Sequence, residues 1–214
     1  MRYLIFSDVH GNLPALEEVL SKEKNVFGYI NLGDVVNYGP WSNECIQLID
    51  SLQNCKNLKG NHEEYFESGH CNIGNPLVEK FFTYSFKKFN NVNIIKEYHH
   101  KLSFNNFFLS HNLNSSKKYF FKDTEVDISH NTMIGHSHQQ YLRVINDKYT
   151  LLNPGSIGQN RKNINIANYV IWEVEKNDFH LKELAFDIDY VIDEMKSRGY
   201  PSECIKYYEN KNRA

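Results

Sequence analysis

Tyr3-Leu4-Ile5-Phe6-Ser7-Asp8-Val9-His10-Gly11-Asn12-Leu13-Pro14-Ala15-Leu16 runs from an apolar stretch through a polar turn into a helical pattern. Tyr3 to Phe6 read as a short strand, ended by the turn-rich Ser7 to Asn12. Leu13, Leu16, Val19 and Leu20 then recur at helical spacing, with Pro14 tolerated in a first turn. The same alternation follows twice more. Phe27 to Leu32 is a second apolar run, cut off at Gly33-Asp34, and Ser42 is the expected N-cap of a helix carrying Cys45, Ile46, Leu48, Ile49 and Leu52. Cys55 to Leu58 is a third strand, ended by Gly60-Asn61. Such βαβαβ order implies a mostly parallel sheet with covering helices.

Outward from this core the pattern changes. Pro76 to about His100 reads as helical and aromatic, with Phe81, Phe82, Tyr84, Ser85 and Phe89 leaving its period open. Short strands then dominate: Phe107–Ser110, Thr132–Ile134, Tyr141–Ile145, Tyr149–Leu152, Tyr169–Val174 and Phe179–Leu184. A closing helix is expected from about Asp187 to Arg198, stopped by Gly199-Tyr200-Pro201. With no repeat or linker, residues 1–214 read as one α/β domain whose second half is more antiparallel than its first.

Composition excludes several functions. A net charge of -2 does not favour long nucleic acids or anionic membranes, and no apolar run is long enough to span a bilayer. Cys45, Cys55, Cys71 and Cys204 form no C-x-x-C pair, and the N-terminal apolar run is too short for a signal-peptide core. Reduced thiols in a cytoplasmic protein are therefore expected. Oligomeric state is not legible.

Five segments place metal-ligand residues directly after a strand: Asp8-Val9-His10, Gly33-Asp34, Gly60-Asn61-His62-Glu63, His111 and Gly135-His136-Ser137-His138. Loops at the carboxyl ends of parallel strands converge to form sites. Carboxylate, imidazole and amide donors together suit Mn, Fe or Zn better than Mg. Singly these segments are ordinary, since Gly-Asp is common in turns and a lone His is more often packed than ligating. Five in this order, each at a strand end, point to one metal centre.

The set resembles the calcineurin-like metallophosphoesterases, in their small prokaryotic phosphodiesterase-like branch. The similarity covers nearly the whole chain. It extends over Ser7 to Leu16, Asn37-Tyr38-Gly39-Pro40, Asn153-Pro154-Gly155-Ser156-Ile157-Gly158-Gln159 with Arg161, and the Gly-Tyr-Pro stop. The resemblance implies a four-layer α-β-β-α sandwich of two packed mixed sheets flanked by helices. It implies two divalent transition-metal ions, Mn first, with Fe or Zn also compatible. Asp8, His10 and His138 would hold one metal, Asn61, His111 and His136 the other, and Asp34 would bridge them. A bridging hydroxide would then attack a small phosphate ester.

By the same resemblance His62 is the candidate proton donor to the departing oxygen or a hydrogen-bond donor to the phosphate, and Asn12, Asn37 and Arg161 are substrate-side candidates. Asn37 stands where the related serine/threonine phosphatases carry an Asp that orients this histidine. Tyr38 reads as a packed ring rather than a stacking platform. A phosphodiesterase on a small nucleotide-like substrate is the expected function. The alternatives are a phosphomonoesterase or serine/threonine protein phosphatase, and a catalytically silent scaffold of the same fold.

Overall fold

The computed structural model describes residues 1–113 and 118–214. Two five-stranded mixed sheets form its centre. In the first, β1 (Arg2–Phe6), β2 (Gly28–Asn31) and β3 (Cys55–Asn57) run parallel, as the βαβαβ pattern requires. β9 (Ile166–Glu173) pairs antiparallel with β1, and β10 (Asp178–Ala185) closes that edge. The second sheet has the order β4 (Lys101–Phe104), β5 (Phe107–Ser110), β6 (Asn131–Met133), β8 (Tyr149–Pro154), β7 (Gln140–Ile145). Its three central strands are parallel and its two edges antiparallel.

Strand alternation divides the first sheet's side chains between two cores. Tyr3 and Ile5 of β1, Ile30 of β2 and Trp172 of β9 face Phe107, Leu109, Met133 and Leu152 of the second sheet. Leu4, Phe6 and Ile171 face the other way, under a helical layer. That layer contains α1 (Leu13–Lys22), α2 (Ser42–Asp50), α4 (Pro76–Phe86), α6 (Ile188–Ser197) and α7 (Ser202–Glu209). The expected pair of packed mixed sheets flanked by helices is present. The second sheet's outer face carries a smaller cluster, in which Ile134, Tyr141 and Leu151 pack against Ile128, Phe120 and Val126 from the irregular segment 118–130.

Local chemistry fixes the helix ends. Asn12 caps α1 by accepting from the Ala15 N–H, and Asp187 caps α6 through the Tyr190 N–H. Ser42 is not a cap: Trp41 holds that position, and the Ser42 hydroxyl instead accepts from the Asn37 N–H at 3.0 Å. The turn before α2 thus uses the serine to hold the Asn37 loop. The helical stretch expected over 76–100 is two helices, α4 and α5 (Val92–Lys96), broken around Asn90-Asn91. α3 (Asn61–Ser68), β4 and α7 were not legible as elements.

Candidate metal centre

Every parallel strand of both sheets delivers its C-terminal loop to one place. Asp8 and His10 follow β1, Asp34 follows β2, Asn61 opens α3 just after β3, His111 follows β5, and His136 and His138 follow β6. Their donor atoms gather in three overlapping groups: Asp8 with His10 and His138, Asp34 with His111 and His136, and His10 with Asp34 and His62. The last group shares His10 with the first and Asp34 with the second, and so links them. Asn61 shares the wall of the main cavity with Asp34, His136 and His138, and the wall of a smaller recess with His111.

The backbone is bent to achieve this. Asp8, His10, Asp34, His136 and His138 all have left-handed conformations, with φ of 55°, 49°, 57°, 66° and 58°. Non-glycine residues rarely adopt this region, and the strain is tolerated where the surroundings over-determine it. Here they do. The Asp8 N–H donates to the Gly33 carbonyl at 2.9 Å and the His10 N–H to the Asp34 carbonyl at 3.0 Å, tying the first two loops together. The Ser156 hydroxyl holds the Asp8 carbonyl at 2.7 Å, and the Asn153 amide holds Gly135 and Ser137. Gly60 must be glycine because a Cβ there would overlap the Asp34 carboxylate.

Glu63 braces the two loops from below. Wholly buried, its carboxylate accepts from the N–H groups of Asp34 (2.7 Å), Val35 (2.7 Å), Val36 (3.1 Å) and Gly60 (2.8 Å). Burial and the neighbouring Asp34 push its pKa up, while the backbone donors pull it back toward the charged form. The sequence groups Glu63 with ligand-type residues; the structure makes it a strut. A glutamate three residues after a cap, as in a capping box, was the available signal. The α3 N-terminus also addresses Asp34 directly, the His62 N–H donating to Asp34 Oδ1 at 2.8 Å.

Three imidazoles are fixed by carbonyls. His10 Nδ1 meets the Val36 oxygen at 3.2 Å, His111 Nδ1 the Leu32 oxygen at 2.7 Å, and His138 Nδ1 the Gln159 oxygen at 2.6 Å. A carbonyl only accepts, so each Nδ1 carries a proton and, in the neutral ring that metal binding requires, Nε2 presents a lone pair. These lone pairs point at other acceptors. His10 Nε2 and His138 Nε2 are 3.2 Å apart, His138 Nε2 is 3.1 Å from Asp8 Oδ1, and His111 Nε2 is 3.0 Å from Asp34 Oδ2. Asp8 Oδ1, Asn61 Oδ1 and His111 Nε2 are buried with no hydrogen bond. Buried acceptors facing acceptors are costly unless a cation lies among them. The donor set therefore fits divalent metal ions.

The titration behaviour of the metal-free site agrees. Burial, the largest single influence, disfavours the charged forms of both His111 and Asp34, but their mutual attraction and contact, with Asp8 acting on His111 and His62 on Asp34, together outweigh it. His111 is raised to about 10 and Asp34 held well below the usual carboxylate range. A proton thus occupies the place a metal would take, and metal entry must displace it. Burial also opposes ionisation of Asp8, where His138 and His10 win and lower the carboxyl strongly.

His62 differs from the three carbonyl-held rings. Its Nδ1 lies 2.9 Å from the Asn37 amide nitrogen, which donates to it, leaving the proton on Nε2 toward the site. Burial, only partly offset by Asp34, lowers its pKa to about 3, so the ring is neutral. Asn37 itself is buried, holds the histidine, and is not on the cavity wall; neither is Asn12, occupied in capping α1. Arg161 does line the cavity, a space of about 460 Å³ walled also by Tyr38, Tyr65, Tyr119 and Tyr207. Tyr119 stacks on His136 at 4.4 Å, a role no local pattern announced.

Residues 1–177 match the model of the calcineurin-like phosphoesterase superfamily domain. An uncharacterized protein of Methanocaldococcus jannaschii is 27% identical, over 92% of this chain and 93% of its own. Two solved structures share the fold at TM-score 0.77. One, a metallophosphoesterase from Sphaerobacter thermophilus, is 22% identical over 98% of each chain. The other, a hypothetical protein from Pyrococcus horikoshii OT3, is 16% identical over 100% of this chain and 99% of its own. Loops from both sheets, the convergent acceptors and the family match coincide over the same residues: the chain belongs to the calcineurin-like phosphoesterase superfamily and is a metal-dependent phosphoesterase.

Proposed function

We propose that the protein hydrolyses small phosphodiesters of nucleotide type, with Asp8, His10 and His138 holding one divalent ion, Asn61, His111 and His136 a second, and Asp34 both. The observation that carries this reading is the set of buried acceptor-to-acceptor contacts around Asp8 and Asp34. Two such cations, when bound, clamp phosphate oxygens and lower the pKa of water between them. Mn, Fe and Zn all suit the mixed donors, and Mn is the first to test.

The chain's own groups supply the rest. His62 Nε2–H is 4.0 Å from Asp34 Oδ2 and lines the cavity, placed to donate to the departing oxygen. Asn37 fixes that tautomer but brings no negative charge to stabilise an imidazolium. A neutral, weakly basic imidazole gives limited help to a poor leaving group, which favours aryl or nucleotidyl leaving groups over alkyl alcohols. The tyrosine-rich wall suits a planar group, and the cavity volume suits a small ligand. Arg161 offers its guanidinium to phosphate. In the described part of the chain no helix is long and apolar enough to cross a membrane, and a cytoplasmic location is consistent with the four free thiols.

Chelator-stripped protein reloaded with Mn should hydrolyse bis(p-nitrophenyl) phosphate faster than p-nitrophenyl phosphate, with Asp34→Asn inactive on both. A monoester preference would turn the reading to a phosphatase. Two bound metals without turnover of either ester would point to a silent scaffold or a narrow substrate.

A further inference from the structure

Two cations stand beside the cavity, Arg161 on its wall and Lys211 against a ring of that wall; the chemistry above gives Arg161 only a general role toward phosphate and Lys211 none. Lys211, just beyond α7, sits with its ammonium 4.6 Å from the Tyr207 ring centroid, and the Arg161 guanidinium is 4.5 Å from that of Tyr119. Both rings line the cavity. Cation–π contact fixes such groups over an aromatic face while leaving their N–H donors free.

Neither cation is neutralised. Among the described residues no carboxylate lies within ion-pair distance of Arg161 or Lys211, although their neighbours are paired. Arg213 makes two 2.7 Å bonds to Asp189, and Lys196 reaches Glu209 at 3.0 Å. Burial and the nearby Arg161 charge lower the Lys211 pKa, so the two cations repel each other. Both are also tied to the metal centre. The Tyr119 ring touches both Arg161 and His136. Gln159 holds His138 through its carbonyl and accepts from the Tyr207 hydroxyl at 3.2 Å. The cation pair is therefore held in register with the candidate ligands, beside the cavity they open on.

We infer that Arg161 and Lys211 form a second anion site, which binds a phosphoryl group of the substrate other than the one being hydrolysed. This deepens the proposed function and rests on it: the substrate is a nucleotide bearing at least two phosphoryl groups, one at the metals and one between Arg161 and Lys211. Two cations converging on one phosphate give charge-assisted hydrogen bonds stronger than either makes with water-exposed partners. The second phosphate also relieves their mutual repulsion.

The test is direct binding by calorimetry of AMP and ADP to the full-length protein in Mn-containing buffer. Wild type should bind ADP about 10-fold or more tightly than AMP, and raising the salt should narrow the gap. In Lys211→Glu and Arg161→Ala the ratio should fall close to one, with Lys211→Met, which keeps the stem over Tyr207, in between. Comparing ratios across variants cancels the nucleotides' own affinity for Mn. Unchanged thermal midpoints would show that the substitutions, at exposed Arg161 and half-buried Lys211, leave the fold intact. An ADP-to-AMP ratio equal in wild type and Lys211→Glu overturns the second site. Ester hydrolysis that persists alongside that equality leaves the esterase reading standing. A Lys211-dependent ratio in a protein with no hydrolysis does the reverse.

Discussion

The two sheets contribute unlike halves of the centre. The first supplies both carboxylates, Asp8 after β1 and Asp34 after β2, together with the His62 turn; among the candidate ligands, the second supplies only imidazoles, His111, His136 and His138. The charged half is braced from within, by Glu63 and by the α3 N-terminus. The imidazole half is held by single carbonyl contacts at His111 and His138 and by the ring of Tyr119. Carboxylates must be rigid because their charge is what tethers the cations, whereas neutral rings can adjust. The first half should therefore govern whether metal binds, and the second how well.

The largest test of that division is metal stoichiometry. Asp34→Asn alters the carboxylate proposed to hold both ions and should lose most bound metal and all detectable turnover. His138→Asn, which alters one cluster only, should retain about half the metal by elemental analysis. Equal losses in the two variants would remove the distinction between the halves.

Next in size is His62. His62→Ala should retain metal and slow turnover by about 10²–10⁴-fold, the usual contribution of a positioned proton donor. Asn37→Asp sharpens this, since a carboxylate beside Nδ1 should raise the imidazole pKa from its depressed value of about 3. Its benefit should be greatest for esters with poor leaving groups. Metal lost from His62→Ala would instead make this ring a ligand.

Much of this arrangement was readable from the chain because it is local. A short apolar run followed by Ser-Asp-Val-His or Gly-Asp states both the strand and the residue at its end, so the parallel core and the five ligand-bearing segments emerged together, and the family resemblance then named seven candidate ligands within them. What was not readable depends on distant partners. Glu63 looks like a site carboxylate until β2's loop is seen to lie on it, and Ser42 looks like a cap until the Asn37 loop claims its hydroxyl. α3 escaped notice because Asn-His-Glu-Glu opens it without an apolar period. Tyr119 and Lys211 acquire meaning only through His136 and Arg161, far away in sequence.

Glu63 itself gives the third test, now of stability. Glu63→Ala leaves four backbone N–H groups buried without an acceptor, at about 1–3 kcal/mol for each that stays unsatisfied. Even partial relaxation should cost several kcal/mol and lower the thermal midpoint by roughly 10 °C, at about 2–4 °C per kcal/mol for a chain of this size. A midpoint within roughly 2 °C of wild type would mean that the brace is dispensable, and that the charged half owes its rigidity to something else.

The smallest effect is expected on the outer face of the second sheet, where the irregular segment 118–130 packs over the strands. Tyr141 ties that cover down: its ring is buried in the cluster and its hydroxyl donates to the Phe120 carbonyl at 2.9 Å. Tyr141→Phe removes one hydrogen bond and no packing, so global stability should fall by only about 1 kcal/mol. The local consequence should be larger than the global one, because Phe120 lies between Tyr119 and Phe121, and Arg161 rests against both of those rings. Proteolysis between residues 118 and 130 should accelerate, and KM should rise several-fold while kcat holds, since the cover positions Arg161 and meets the candidate ligands through the stacking of Tyr119 on the His136 ring, not through a donor atom. A fall in kcat with KM unchanged would place the cover in the chemistry itself, and the contrast between a braced charged half and an adjustable neutral half would fail.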